Sequence, residues 1–193
     1  MGNREDLLAG AKRCLLDKGY AQTTAREIAA AAGVSLAAIG YHYGSKDALL
    51  TAALMQALDE WGEELRVALA AGSRKHGTPA ERFQAAWTAV LKSFAAHRQL
   101  WRIQFELLAQ LERNPALQRM FAEANRGGRL ALAELLGAAT GEPLTEKQAL
   151  TLGTFYQAML GGIATQWLVD PDAALTGRDM LDAMRLLTPV IGK

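Results

Sequence analysis

Between residues 23 and 50 the chain runs TTAREIAAAAGVSLAAIGYHYGSKDALL, a stretch that starts a helix, breaks it, restarts it and breaks it again. Thr24 and Glu27 have the spacing of a capping box, in which the hydroxyl takes the third helical amide and the carboxylate returns to the cap amide. A helix is therefore predicted from about Ala25. Gly33 then permits a tight turn, Val34 fills the angle between helices, and Ser35 is placed to cap a further helix of about seven residues. Ser45 caps the one after that. Helices this short bury little by themselves, so their tight mutual geometry has to serve something beyond a core. Two helices joined by a short glycine-containing turn form a helix-turn-helix, whose first helix crosses a phosphate backbone and whose second lies in the major groove.

In that reading SLAAIGYHY is the helix that meets the bases. Val34 and Ile39 are expected to point inward. Ser35, Leu36, Ala37, Ala38, Gly40 and Tyr41 are expected near base edges, where hydroxyls hydrogen-bond and apolar groups meet thymine methyls. Phosphate contacts are expected from the amides at the helix starts capped by Thr24 and Ser45, and from Tyr41, His42 and Lys46. Arg26, on the surface of its helix, is either a solvated charge or a groove contact.

The rest of the chain is helical in pattern. A first helix over 4–18 places Leu7, Leu8, Ala11, Cys14 and Leu15 on one face, so Cys14 is expected as a core residue rather than a redox sensor. Leu50, Leu54, Ala57, Leu58, Trp61, Leu65 and Leu69 continue at helical spacing from Lys46 to about residue 70. A loop is expected at 72–77, and Thr78, Pro79 and Glu81 then agree on a helix start. Further helices are expected over about 79–95, 98–111, 115–138 with a possible kink at Gly127 and Gly128, 146–168 after a loop ending at Thr145, and 173–190. Arg98 with Arg102 and Arg126 with Arg129 are expected as surface pairs. No strand alternation or fixed repeat occurs. The fold class is all-α, about nine helices, with a three-helix head over 1–48 and a helical body over 49–193.

Composition excludes several functions. Of 193 residues half are hydrophobic, enough for a sizeable core, and the formal net charge is only +1. One cysteine excludes an internal disulfide framework, and His42, His76 and His97 are too scattered for a metal site. The body has no paired Glu-x-x-His motif of a carboxylate-bridged metal bundle, no G-x-S-x-G and no phosphate-cradling glycine loop, so neither catalytic residues nor a cofactor is expected. No apolar run approaches the roughly 18 residues of a membrane span, and the expectation is a cytoplasmic protein with no membrane partner.

Residues 23–50 resemble the signature of the TetR family of transcriptional regulators. The resemblance is carried by Thr24, Ile28 with Ala29, Ala32 with Gly33, Val34 with Ser35, Ile39, Tyr43, Lys46, and Leu49 with Leu50. Two positions depart: members commonly have Tyr where this chain has Gly40, followed by Phe where it has Tyr43, and the missing Tyr normally touches a phosphate. Tyr41 or His42 is expected to take that contact. The resemblance implies a homodimer on a partly palindromic double-stranded operator, released when a small molecule enters the body and shifts the hinge helix, with repression the commoner mode. A protein of the same shape without an effector, or an activator, is the alternative. Pocket candidates on the middle helices are Trp61, Phe83, Trp87, Trp101, Gln104, Phe105, Phe121 and Tyr156, with His97 beside them, and they suit an apolar or aromatic effector. For dimerisation the sequence adds its own support. The last two long helices carry more apolar positions than one core face can bury, among them Phe155, Met159, Ile163, Trp167, Met180 and Met184, while Gly162 would let helices approach closely.

Overall fold

Local start and stop signals decide most of the helix boundaries in the computed structural model, which describes residues 3–72, 77–137 and 143–191. Among the described residues there are nine α-helices: α1 (Asn3–Lys18), α2 (Ala25–Ala32), α3 (Ala37–Tyr43), α4 (Lys46–Gly72), α5 (Pro79–Ala96), α6 (Arg98–Leu108), α7 (Pro115–Gly137), α8 (Glu146–Val169) and α9 (Gly177–Ile191). Capping boxes begin α2 at Thr24 and Glu27 and α8 at Thr145 and Gln148. Thr78 and Glu81 make the same exchange ahead of α5, and the Asn114 side chain accepts the Leu117 amide where Pro115 opens α7. The all-α class expected from the sequence is the class observed.

Two of these boundaries differ from expectation. Helix α6 stops at Leu108, and a short 3-10 turn at Leu111–Arg113 precedes α7. The last helix begins at Gly177 rather than about 173. Asp170 caps a separate 3-10 turn at Pro171–Ala173, and Thr176 with Asp179 then opens α9. Helix α7 runs through Gly127 and Gly128 as a single element, with the bounds expected. The loop expected at 72–77 lies largely outside the described residues, as do His76 and residues 141 and 142 of the loop before Thr145.

The chain divides into two compact units. The first comprises Met1–Trp61 and His97–Ala124. Its core is Leu7, Ala11, Leu15, Ile28, Ile39, Leu49, Leu50 and Leu54 with Leu100, Ile103, Leu107 and Phe121, all buried. Helices α1 and α2 cross closely at Gly10, where a Cβ would stand 3.0 Å from the Ala32 amide nitrogen. The second unit comprises Gly62–Ala96 and Asn125–Lys193. There α8 crosses α7 at Gly153, where a Cβ would overlap the Arg129 carbonyl. At Gly177 the start of α9 sits as tightly on Gln84 and Thr88 of α5. The ring of Phe94 meets Trp167 at 5.8 Å, and a half-buried polar relay runs from Arg129 Nε to Gln157 Oε1 and from Gln157 Nε2 to Asn125 Oδ1, each 3.0 Å.

Candidate nucleic-acid interface

The helix-turn-helix is built from α2, a four-residue connection and α3. At the start of α2, Glu27 Oε2 accepts the Thr24 amide at 2.9 Å and the Thr24 hydroxyl at 2.8 Å, while the hydroxyl oxygen accepts the Glu27 amide at 3.3 Å. Lys18 pairs with the same carboxylate at 2.7 Å. That bond first, and the Thr24 donors next, hold the Glu27 carboxyl down to about 2. Two of the amides expected to face a phosphate are thus already used inside the helix start. Arg13 closes the other end of α2 by donating to the Ala31 carbonyl at 2.5 Å. Gly33 then takes a left-handed conformation, φ 69°, and its amide returns to the last carbonyls of α2.

Ser35 does not cap α3. The helix begins at Ala37 after Leu36, which makes no side-chain capping bond, and Ser35 contributes its backbone carbonyl to the Ala38 amide instead. Ala38, expected at the bases, is turned into the head and only 8% exposed. With Ile39 at 4% it forms the anchoring face of α3. A seven-residue helix has only one inward edge to spend, and the two adjacent positions take it. The outward face is Leu36 at 48%, Ala37, Gly40 and Tyr41 at 87%, with Ser35 exposed beside it. Nothing lies within 4 Å of a Cβ built at Gly40. The surface is therefore flat in the middle and flanked by a Leu and a Tyr, a shape that admits close approach to base edges.

Around this face Tyr41 packs edge-on against His42 at 4.8 Å. Tyr43 is tied back to α1, its hydroxyl donating to the Arg4 carbonyl at 2.9 Å and its ring lying 5.4 Å from the Arg4 guanidinium. Gly44, φ 77°, ends α3, and Ser45 Oγ accepts the Ala48 amide at 3.0 Å to start α4. Lys46 is half-buried. Its ammonium donates to the Thr23 carbonyl at 3.2 Å and sits 5.5 Å above the Tyr20 ring centre. Thr24 and Arg26 are exposed.

The eight pocket candidates fall into two sets. In the first unit Trp61 and Trp101 are buried and meet edge to face at 5.3 Å. Phe121 is also buried, and Gln104 and Phe105 are half-buried. Gln104 Oε1 is buried with no donor among the described residues. In the second unit Phe83, Trp87 and Tyr156 form a chain of rings at 6.2 and 6.4 Å. Trp87 is fully buried, and its indole N–H has no acceptor among the described residues. Burial alone holds the Tyr156 hydroxyl above its ordinary pKa.

Of the residues expected at a dimer surface, Ile163 and Met180 are corrected. They are 8% and 4% exposed and complete the core of the second unit. Phe155 and Gly162 are exposed, and Met159, Trp167 and Met184 are half-buried. Periodicity missed the most exposed apolar side chains on these helices, Leu186 at 78% and Val169 at 83%, the latter the last residue of α8, where the pattern has too few neighbours to assign a face.

Comparison with known proteins gives two family-model matches. Residues 7–53 match bacterial regulatory proteins of the tetR family, and residues 79–187 match the C-terminal region of the BetI-type transcriptional repressor. The HTH-type transcriptional repressor AcnR of Corynebacterium efficiens is 38% identical over 52 residues, 27% of this chain and 28% of that protein. The HTH-type transcriptional regulator BetI of Brucella abortus is 35% identical over 82 residues, 42% of this chain and 39% of that one. The matched stretch thus spans well under half the length of either relative. Among solved structures, the multidrug binding protein EbrR complexed with proflavin superposes with a TM-score of 0.65 at 24% identity, covering 96% of this chain and 99% of that one. The fatty acid degradation regulator FadR from Bacillus halodurans gives 0.58 at 20%, covering 97% and 94%. These last likenesses are of fold.

Proposed function

Because the chain belongs to the TetR family of bacterial transcriptional regulators, we propose that it is a repressor that binds a palindromic operator as a homodimer and is released by a small-molecule effector. The observation that carries the DNA-binding part is the outward face of α3, where Leu36, Ala37, Gly40 and Tyr41 are exposed while Ala38 and Ile39 anchor the helix. Tyr41, His42, Ser45 and Lys46 lie beside that face and supply phosphate contacts, and Arg26 does so from α2, whose cap Thr24 has given its own donors to Glu27. Family and fold are those of regulators rather than enzymes. No helix among the described residues is long and apolar enough to cross a membrane, and the regulator works in the cytoplasm.

Dimerisation uses α8 and α9. Phe155, Val169, Leu186 and Leu187 are exposed there, 46% to 83% of each side chain's surface, on helices that also offer Gly162 for close approach. Two heads held this way meet successive major-groove faces about one helical turn, roughly 34 Å, apart. The effector is apolar or aromatic, received by the Trp61–Trp101 or the Phe83–Trp87–Tyr156 cluster; that EbrR is known with proflavin, a flat aromatic, supports this chemistry. To release the operator it must prefer the non-binding arrangement, and inverting a 1:99 population takes about 5.5 kcal/mol of differential affinity.

The test is a selection of genomic fragments by the purified protein, sequenced at moderate salt. One recovered palindromic site supports the regulator reading. Recovery of basic-protein background alone, with no enriched sequence in the presence or absence of a panel of aromatic compounds, would remove it.

A further inference from the structure

The turn joining α1 to α2, residues 19–23, is gripped from two directions. On the side of α4, Lys46 donates to the Thr23 carbonyl at 3.2 Å and covers the Tyr20 ring. Thr23 itself is buried, and its hydroxyl donates to the Gly19 carbonyl at 2.6 Å. On the other side stand two side chains of α6, Gln99, whose Nε2 would lie 3.8 Å from a Cβ at Gly19, and Glu106, which makes the hydrogen bonds. Glu106 Oε1 accepts the Ala21 amide at 2.8 Å, and Oε2 accepts the Tyr20 amide at 3.3 Å. A Cβ at Gly19 would lie 3.3 Å from Oε2, so the carboxylate is set directly against the backbone of the turn.

The amides that Glu106 takes lie between the end of α1 and the cap of α2, where neither helix ladder uses them. A carboxylate accepting two backbone N–H groups makes charge-assisted bonds that fix the direction of the chain as well as its position. Ala21 stands three residues before Thr24, whose conformation sets the start of α2, and α2 leads through Gly33 into α3. Helix α6 belongs to the segment that matches the C-terminal repressor region, residues 79–187, yet it clusters with the head in the first compact unit. Tyr20 shows how closed this place is. Its hydroxyl is pushed above its ordinary pKa by burial first, then by the Asp47 carboxylate, with Glu106 contributing least.

We propose that Glu106 is a positioning residue for DNA binding: its carboxylate ties the α1–α2 turn to α6, so that any displacement of α6 is delivered through Tyr20 and Ala21 to α2 and α3. The proposal rests on the DNA-binding reading above. It gives the head a connection to the C-terminal region that is separate from the continuous helix α4.

The experiment compares the wild-type protein with Glu106→Gln, Glu106→Ala and, as a control one turn away, Arg102→Ala. Gln keeps the shape of the side chain but offers one acceptor and turns a donor toward the second amide, so it serves if the Ala variant folds poorly. Amide exchange of Tyr20, Ala21 and Ile39 is followed by NMR, and affinity for the selected duplex by fluorescence anisotropy. Exchange at Tyr20 and Ala21 is expected to rise about tenfold in both Glu106 variants with Ile39 unchanged. The operator Kd is expected to rise roughly tenfold in Glu106→Ala and to stay within about twofold in Arg102→Ala. Faster exchange with an unchanged operator Kd would overturn the proposal, since the carboxylate would then hold the turn without positioning the reading helix. Unchanged exchange would overturn it by removing the contact. If the wild-type protein binds no duplex at all, the DNA-binding reading fails and this one with it, and the exchange data still report separately whether Glu106 holds the turn.

Discussion

Replacing Gly153 by alanine should destabilise the second unit, although alanine is the better helix former. In the middle of α8 the change gains about 1 kcal/mol of helix propensity. Against that, the new Cβ would overlap the Arg129 carbonyl oxygen, approach its carbonyl carbon to 2.6 Å and its Cα to 3.0 Å. These are backbone atoms, so no rotamer change relieves the clash, and the two helices must move apart. Overpacking costs about 1–3 kcal/mol, and a backbone overlap belongs at the upper end, which leaves a net loss of about 2 kcal/mol. An unfolding entropy of about 2.1 cal/mol/K per residue over a chain of this length converts that to a melting temperature lower by roughly 5 °C. Gly127→Ala is the matched control. It lies inside α7, exposed, with nothing within 4 Å of its Cβ, so the propensity gain acts alone and the melting temperature should rise by roughly 2 °C. Differential scanning calorimetry at one fixed protein concentration, because any dimer makes melting concentration-dependent, reads both. A Gly153→Ala protein melting at or above the Gly127→Ala protein would refute the close crossing of α7 and α8.

Other outcomes follow from the head and from the exposed apolar faces. Tyr41→Ala, at an 87% exposed position, should leave the unfolding free energy within about 0.5 kcal/mol of wild type while changing which sequences a fragment selection enriches. Lys46→Ala should weaken operator and scrambled duplex about equally and lower the slope of log K against log salt by about 0.9 per protomer, because the ammonium keeps donors beyond the one given to Thr23. An unchanged slope would mean that Lys46 acts only by holding the turn. Glu27 sits at about 2 in the folded protein against an ordinary 4.5, so what it contributes is complete above the ordinary value and is lost as pH falls from there toward 2. Glu27→Gln should flatten the acid titration of helicity across that window and leave neutral pH behaviour of the other helices alone. Leu186→Glu, at a 78% exposed position, should yield a monomer by light scattering with its helicity intact, and a variant that remains dimeric would place the interface elsewhere.

What the sequence made legible was what neighbours in sequence decide. Thr24 with Glu27, Thr78 with Glu81 and Thr145 with Gln148 are pairs three residues apart, and each marks a helix start because both partners belong to the same turn of chain. Ser35 looked like another such cap, but the left-handed turn at Gly33 leaves α3 to begin two residues later. Which side of α3 faces inward was half legible. Ile39 was placed correctly, and Ala38 was not, since an alanine carries little apolar signal and the helix is only seven residues long. Ile163 and Met180 were indistinguishable in type from Phe155 and Leu187, and only packing separates the buried pair from the exposed one. Glu106 was invisible because the amides it holds are 85 and 86 residues away.

On the proposed function, α3 lies in the major groove of an operator and does so twice per dimer. Guanine N7 faces that groove, so protection of N7 from methylation on the selected duplex reads the claim at base resolution. The expected pattern is two protected patches about one helical turn apart on one face of the duplex, both lost in a Tyr41→Ala, Ala37→Glu double variant whose helicity is unchanged. Binding that leaves every guanine N7 reactive, or protection that survives in that variant, would contradict it.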